Sequence, residues 1–193
     1  MAEWKREGLP VTIITEKLKL ALPYAGIPVV IATLLIIQAG RTVVFSLLLN
    51  ELILTFGYIA AIVDLKTKRV PNSLILAMFA AWVIVMTPTL FLDTGTAVDL
   101  LRESAFGAAI GGGLFLFAYL ISRKGLGGGD VKFMACVGLY QGLAGVTIIM
   151  LCGTTLAALT GLILIMLKKI GRKDTIPLAP FLFAGILIAV FFR

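Results

Sequence analysis

The sequence predicts an all-α, polytopic transmembrane bundle of six to seven membrane segments, and three observations carry that expectation. First, 60% of the 193 residues are hydrophobic, well above the roughly 45–50% of ordinary soluble domains. Second, the apolar residues gather in runs of roughly 17–25, enough to cross about 30 Å of hydrocarbon as helices. Third, the basic residues fall between those runs rather than within them. Too little polar sequence remains to coat a soluble globule of this size, so a single compact membrane domain is expected.

Residues 1–20 are mixed in charge and precede the first apolar run. They are expected to form a cytoplasmic or interfacial segment, with "VTIITEKLKL" as a short amphipathic helix or a loosely ordered tail. The run starts too late, and lacks a small-residue cleavage site, for a removable signal peptide. The membrane-embedded domain is then 21–193. Its first segment spans 22–38 and its second 43–63, the latter interrupted only by Ser46, Asn50, Glu51, Thr55 and Tyr58. Pro71 keeps the second helix from continuing, and Asn72 caps the third, 73–92. A polar outer loop near 93–103 holds Asp93, Asp99 and Glu103, and the fourth segment follows at 104–122. The glycine-rich stretch 125–129 separates it from a short fifth segment, 130–141, expected to be tilted, re-entrant or set in a locally thin bilayer. The sixth, 143–167, and the seventh, 176–192, complete the chain. Gly107 with Gly111, and Gly138 with Gly142, have the four-residue spacing of close helix packing.

Cytoplasmic loops of membrane proteins carry an excess of Lys and Arg. With the N-terminus in the cytoplasm and the segments alternating, all Lys and Arg except Arg41, Arg102 and Arg193 fall on the cytoplasmic side. The net charge of +7 therefore has a membrane explanation, with anionic lipid headgroups as partners and no nucleic acid. The chain has no histidine and only two cysteines, Cys136 and Cys152, both in apolar helices. A Cys/His zinc site is not expected, the cysteines read as buried and structural, and no metal or cofactor is called for.

Three carboxylates stand apart from the loops and tail: Glu51, Asp64 and Asp130. Asp64 ends the second segment and Asp130 opens the fifth, so the topology places both at the cytoplasmic membrane edge. A carboxylate facing lipid is costly, and such groups usually face the bundle interior. Two carboxyl groups a few ångströms apart resist simultaneous ionisation and share a proton. One then draws a proton from water while the other polarises a carbonyl, which is aspartic protease chemistry. Without histidine, no Ser-His or Cys-His arrangement is available. Helix dipoles favour an anion at Asp130, which begins a helix, over Asp64, which ends one. Singly, each aspartate also reads as a solvated helix-end residue. Glu51 lies about 20 Å along the helix from Asp64, too far to join it, and is expected to have a structural role, hydrogen-bonding between segments or hydrating the outer leaflet.

The stretch "DLKTKRVPN" (64–72) resembles the first aspartate motif of the type IV prepilin peptidases. "GGGDVK" (127–132) resembles their GxGD motif, and "IPLAPFL" (176–182) their Ile-Pro-x-Gly-Pro-Phe element, with Ala179 at the usual glycine. The resemblance covers roughly residues 22–192. It implies an aspartic endopeptidase, with Asp64 and Asp130 as the catalytic pair. The implied reaction is removal of short, positively charged leaders from prepilins or pseudopilins, just before their hydrophobic N-terminal helix. The implied setting is the cytoplasmic face of a prokaryotic inner membrane. Longer family members carry an N-terminal region with paired CxxC motifs that this sequence lacks, so a peptidase-only form without N-methyltransferase activity is expected.

The same motifs offer a set of substrate-binding or loop-shaping residues: Gly127, Gly128, Gly129, Lys132, Pro71, Asn72, Pro177 and Pro180. Glycines beside the pair leave room for an extended peptide backbone, although a plain helix-to-helix turn needs one or two of them as well. The competing reading is a small membrane transporter that uses Asp64 and Asp130 as proton or cation sites. A presenilin-like protease fits less well, since Val63 precedes Asp64 and the C-terminal element reads Pro-Leu-Ala-Pro.

Overall fold

The computed structural model describes residues 44–92, 94–122, 126–169, 171 and 176–192. The interfacial segment 1–20 and the first segment, 22–38, lie outside the described residues. Among the described residues every regular element is a helix: α1 (Val44–Thr67), α2 (Asn72–Leu92), α3 (Thr94–Ser122), α4 (Gly128–Met166) and α5 (Ala179–Phe192). The first four are long and apolar enough to cross a membrane, and α5 is a shorter apolar helix.

The order of packing is set by small residues. Gly107 of α3 and Gly138 of α4 sit backbone against backbone, and a Cβ on either would overlap the other's main chain. A Cβ on Gly111 would meet the Met134 carbonyl at 2.7 Å and the Val146 side chain at 2.8 Å. Met134 and Val146 flank Gly142, and Gly107 touches Gly142 itself. The chain therefore approaches along α3, reverses at Gly142 and returns along the same helix. Gly142 has φ 62° and ψ −171°, a region essentially reserved for glycine. What reads as one element of 39 residues is a tight helical hairpin, with halves 128–141 (α4a) and 143–166 (α4b). The expected fifth and sixth segments are thus joined by a single residue. At 1.5 Å per residue α4a is about 20 Å long, so it stops short of a full crossing.

The expected outer loop near 93–103 is instead the start of α3, which begins at Thr94. Ala97 and Ser104 are buried while Asp99, Arg102 and Glu103 are exposed. The apolar face of this turn-rich stretch packs on the bundle, and that packing outweighs its polar composition. Direction alternates throughout: Gly57 of α1 faces Phe183 and Ile186 of α5, and Gly153 of α4b faces Leu182. The core comprises Ile53, Leu54, Met78, Phe133, Met134, Val137, Ile149, Leu182 and Ile186, all essentially inaccessible. Leu76, Phe91, Phe117 and Leu120 stay exposed, as a lipid-facing surface requires. Cys136 is buried and Cys152 half-buried, both free thiols.

Candidate functional site

The site is built at the end of the bundle where α1 stops, α4a starts and α5 starts. α1 closes in a left-handed turn at Lys68, φ 52°, whose N–H donates to the Asp64 carbonyl at 2.7 Å. The chain then runs through Val70 and Pro71 into α2. The Pro71 carbonyl accepts the N–H groups of Leu74 (3.2 Å) and Ile75 (3.4 Å), which makes Pro71 the entry residue of that helix.

Asp64 is only 3% exposed. Its Oδ2 accepts the backbone N–H of Ala179 at 2.9 Å, a residue of "IPLAPFL". The Leu178 carbonyl accepts the N–H groups of Phe181 and Leu182, each at 3.1 Å, so Ala179 is the first residue of α5 and its N–H has no partner within the helix. Pro180 follows, where a missing N–H costs nothing. Asp64 thus stands at the C-terminal end of one helix and caps the N-terminus of another, and the two dipoles oppose each other. Its own helix end, the only one the sequence revealed, is half of the local electrostatics.

Asp130 sits in the first turn of α4a. Its Oδ2 accepts the Gly127 N–H at 3.2 Å, and its own N–H donates to the Gly127 carbonyl at 3.0 Å. The side chain is half-buried and lies within the electrostatic reach of Asp64.

The loop glycines divide by environment. A Cβ on Gly129 would sit 2.7 Å from the Val70 carbonyl, so this residue lets the α4a entrance press against the turn after α1. A Cβ on Gly127 would lie 3.0 Å from Asp130 Oδ2, and one on Gly128 would meet nothing within 4 Å. Lys132 Nζ donates to Asn72 Oδ1 at 3.1 Å, tying the first turn of α4a to the start of α2. A cavity of about 600 Å³ opens beside this cluster, lined by Lys68, Arg69, Val70, Gly127, Gly128 and Asp130 among others. Pro177 lies in the approach to α5 and Pro180 within its first turn. Among the described residues no group of three or more His, Cys, Asp or Glu gathers as a metal ligand set.

Glu51 is far from this end of the bundle, and its two carboxylate oxygens have no hydrogen-bond partner among the described residues. The expected link between segments is made by its neighbour: Gln141 Nε2 donates to Asn50 Oδ1 at 2.9 Å. The break at Gly142 falls where the sequence separates the fifth and sixth segments, but the residues that stabilise it carried no sequence signal.

Residues 51–166 match the type IV leader peptidase family. Similar proteins include the prepilin leader peptidase/N-methyltransferases of Legionella pneumophila (32% identical, covering 67% of this chain and 44% of that one), Burkholderia pseudomallei strain K96243 (30%, 71% and 45%) and Bacillus subtilis strain 168 (26%, 68% and 50%). The chain spans about half the length of these curated relatives. No solved structure matches it. The matched stretch covers more than half of the chain and contains both aspartates and the turns that present them, and on that match this chain belongs to the type IV leader peptidase family.

Proposed function

We propose that this chain is a membrane aspartic endopeptidase that removes the leader peptide of prepilins or prepilin-like proteins. The observation that carries the proposal is the electrostatic influence of Asp64 on Asp130, 66 positions apart in sequence, with Asp130 lining a cavity at one end of an otherwise apolar bundle and Asp64 buried behind it. Two interacting carboxyl groups with access to water can hold one proton between them. The ionised member takes a proton from water as the resulting hydroxide adds to the scissile carbonyl carbon. The protonated member donates to the carbonyl oxygen. Collapse of the tetrahedral intermediate returns a proton to the departing amine, breaks the C–N bond and leaves a free carboxylate on the leader.

The rim suits this work. A scissile peptide must lie extended, because a helical one keeps its carbonyls bonded. The exposed backbone of Gly127 and Gly128 leaves room for a strand beside Asp130. Lys68 and Arg69 on the same rim face the headgroup layer, with anionic lipids as their partners. The charge distribution supports an N-terminus in the cytoplasm and a site at the cytoplasmic face of the inner membrane. The substrates are prepilins or pseudopilins with a positively charged leader and a hydrophobic N-terminal helix.

The experiment is co-expression with a prepilin in bacterial membranes, followed by the mobility shift of leader removal. Processing with the parental chain and none with Asp64→Asn or Asp130→Asn is the expected result. Processing that survives either substitution overturns the mechanism.

A further inference from the structure

At the opposite end of α4a a second polar cluster surrounds the break at Gly142. In an unbroken helix the Leu139 carbonyl would accept the Leu143 N–H. Here both groups have found partners on other helices. The Leu139 carbonyl accepts Ser104 Oγ at 2.6 Å and Trp82 Nε1 at 3.1 Å. The Leu143 N–H donates to Glu103 Oε2 at 3.4 Å, so Glu103 caps α4b from outside, as Asp64 caps α5. Tyr140 Oη donates to the Met78 carbonyl at 2.6 Å. Unsatisfied backbone groups are costly within hydrocarbon, and these bonds hold the top of α4a to both α2 and α3.

We propose that Ser104 and Trp82, with Glu103, are positioning residues for Asp130. α4a is a short rigid rod, about 20 Å long, with Asp130 in its first turn and Leu139 in its last. Its lower end is tied by the Lys132–Asn72 bond between exposed side chains. Its upper end carries two donors on a single carbonyl, both from well-buried side chains. The upper end therefore sets the depth and rotation of the whole half-helix, and with them the approach of Asp130 to Asp64. The catalytic part of this inference rests on the peptidase reading. The seating of α4a does not.

The test follows both in the full-length chain in membranes. In a Cys136→Ala, Cys152→Ala background, the pair Asn72→Cys and Lys132→Cys reports the seating of the α4a entrance through its rate of disulfide trapping. A second pair, Tyr58→Cys and Phe183→Cys, reports α1 against α5 as a control. Adding Trp82→Phe and Ser104→Ala should slow trapping of the first pair at least threefold and leave the control unchanged, whereas Ser104→Thr alone should keep the parental rate. In the chain with its native cysteines, the double substitution should lower kcat for leader removal about tenfold with KM within twofold. Unchanged trapping of the first pair, or equal slowing of both pairs, overturns the proposal. A parental chain that cleaves no prepilin would sink the peptidase reading, while trapping would still decide the seating.

Discussion

Asp64 and Ala179 are joined by a 2.9 Å hydrogen bond across 115 residues of chain. The side chain of one helix end supplies the cap for another helix, and the bond fixes a carboxyl group at the edge of the candidate site. The Pro-Leu-Ala-Pro stretch acquires a physical role from this contact. It delivers an unpaired N–H at the start of α5, with Pro180 next to it where no donor is needed. The Ala179 side chain is wholly buried, so the site accommodates its methyl group where the family usually has glycine.

Two substitutions at Asp64 should separate structure from chemistry. In Asp64→Asn the side-chain oxygen can still accept from Ala179, so the bundle should stay folded while leader removal falls below detection. Asp64→Ala leaves the Ala179 N–H buried without a partner, which costs about 1–3 kcal/mol. Thermal unfolding in detergent should therefore show a lower midpoint for the alanine variant than for the asparagine variant.

The three loop glycines should respond differently. Gly129→Ala drives a Cβ toward the Val70 carbonyl and must push the α4a entrance away from the turn after α1. Processing should drop at least tenfold. Gly128→Ala meets open space and should change stability by no more than about 0.5 kcal/mol, with processing retained. Rates of leader removal for the pair, at equal protein level, provide the check.

Gly142→Ala should be the most damaging single methyl group in α4. The residue occupies a backbone conformation that costs other residues about 1–3 kcal/mol, and Glu103 crowds the position. Gly113, in contrast, has nothing within 4 Å of a built Cβ, and Gly113→Ala should stabilise α3 by roughly 0.5–1 kcal/mol. Thermal midpoints of the two variants should move in opposite directions.

Chelation should leave processing unchanged. The chain has no histidine, and its candidate site offers a pair of carboxyl groups rather than a ligand set. Leader removal measured with and without EDTA tests this directly.

The sequence by itself determined the helical membrane architecture, the boundaries of α2 to within a residue and of α1 to within four, and the pairing of Asp64 with Asp130 as candidates. Those features depend on local hydropathy, on Pro71 and Asn72 as punctuation, and on the sidedness of Lys and Arg, all of which are written in neighbouring residues. Only the tertiary structure decided that the Ala179 N–H holds the Asp64 carboxyl group, that Gly129 and not Gly128 presses against the turn after α1, and that Glu103 belongs to a helix and caps another one. It alone showed that the reversal between the fifth and sixth segments is made by Gly142 itself, in a positive-φ conformation. A glycine's backbone angles, and the partner of a polar group, are fixed by which surfaces pack together. That choice is made between residues far apart in the chain, and a periodicity carries no trace of it.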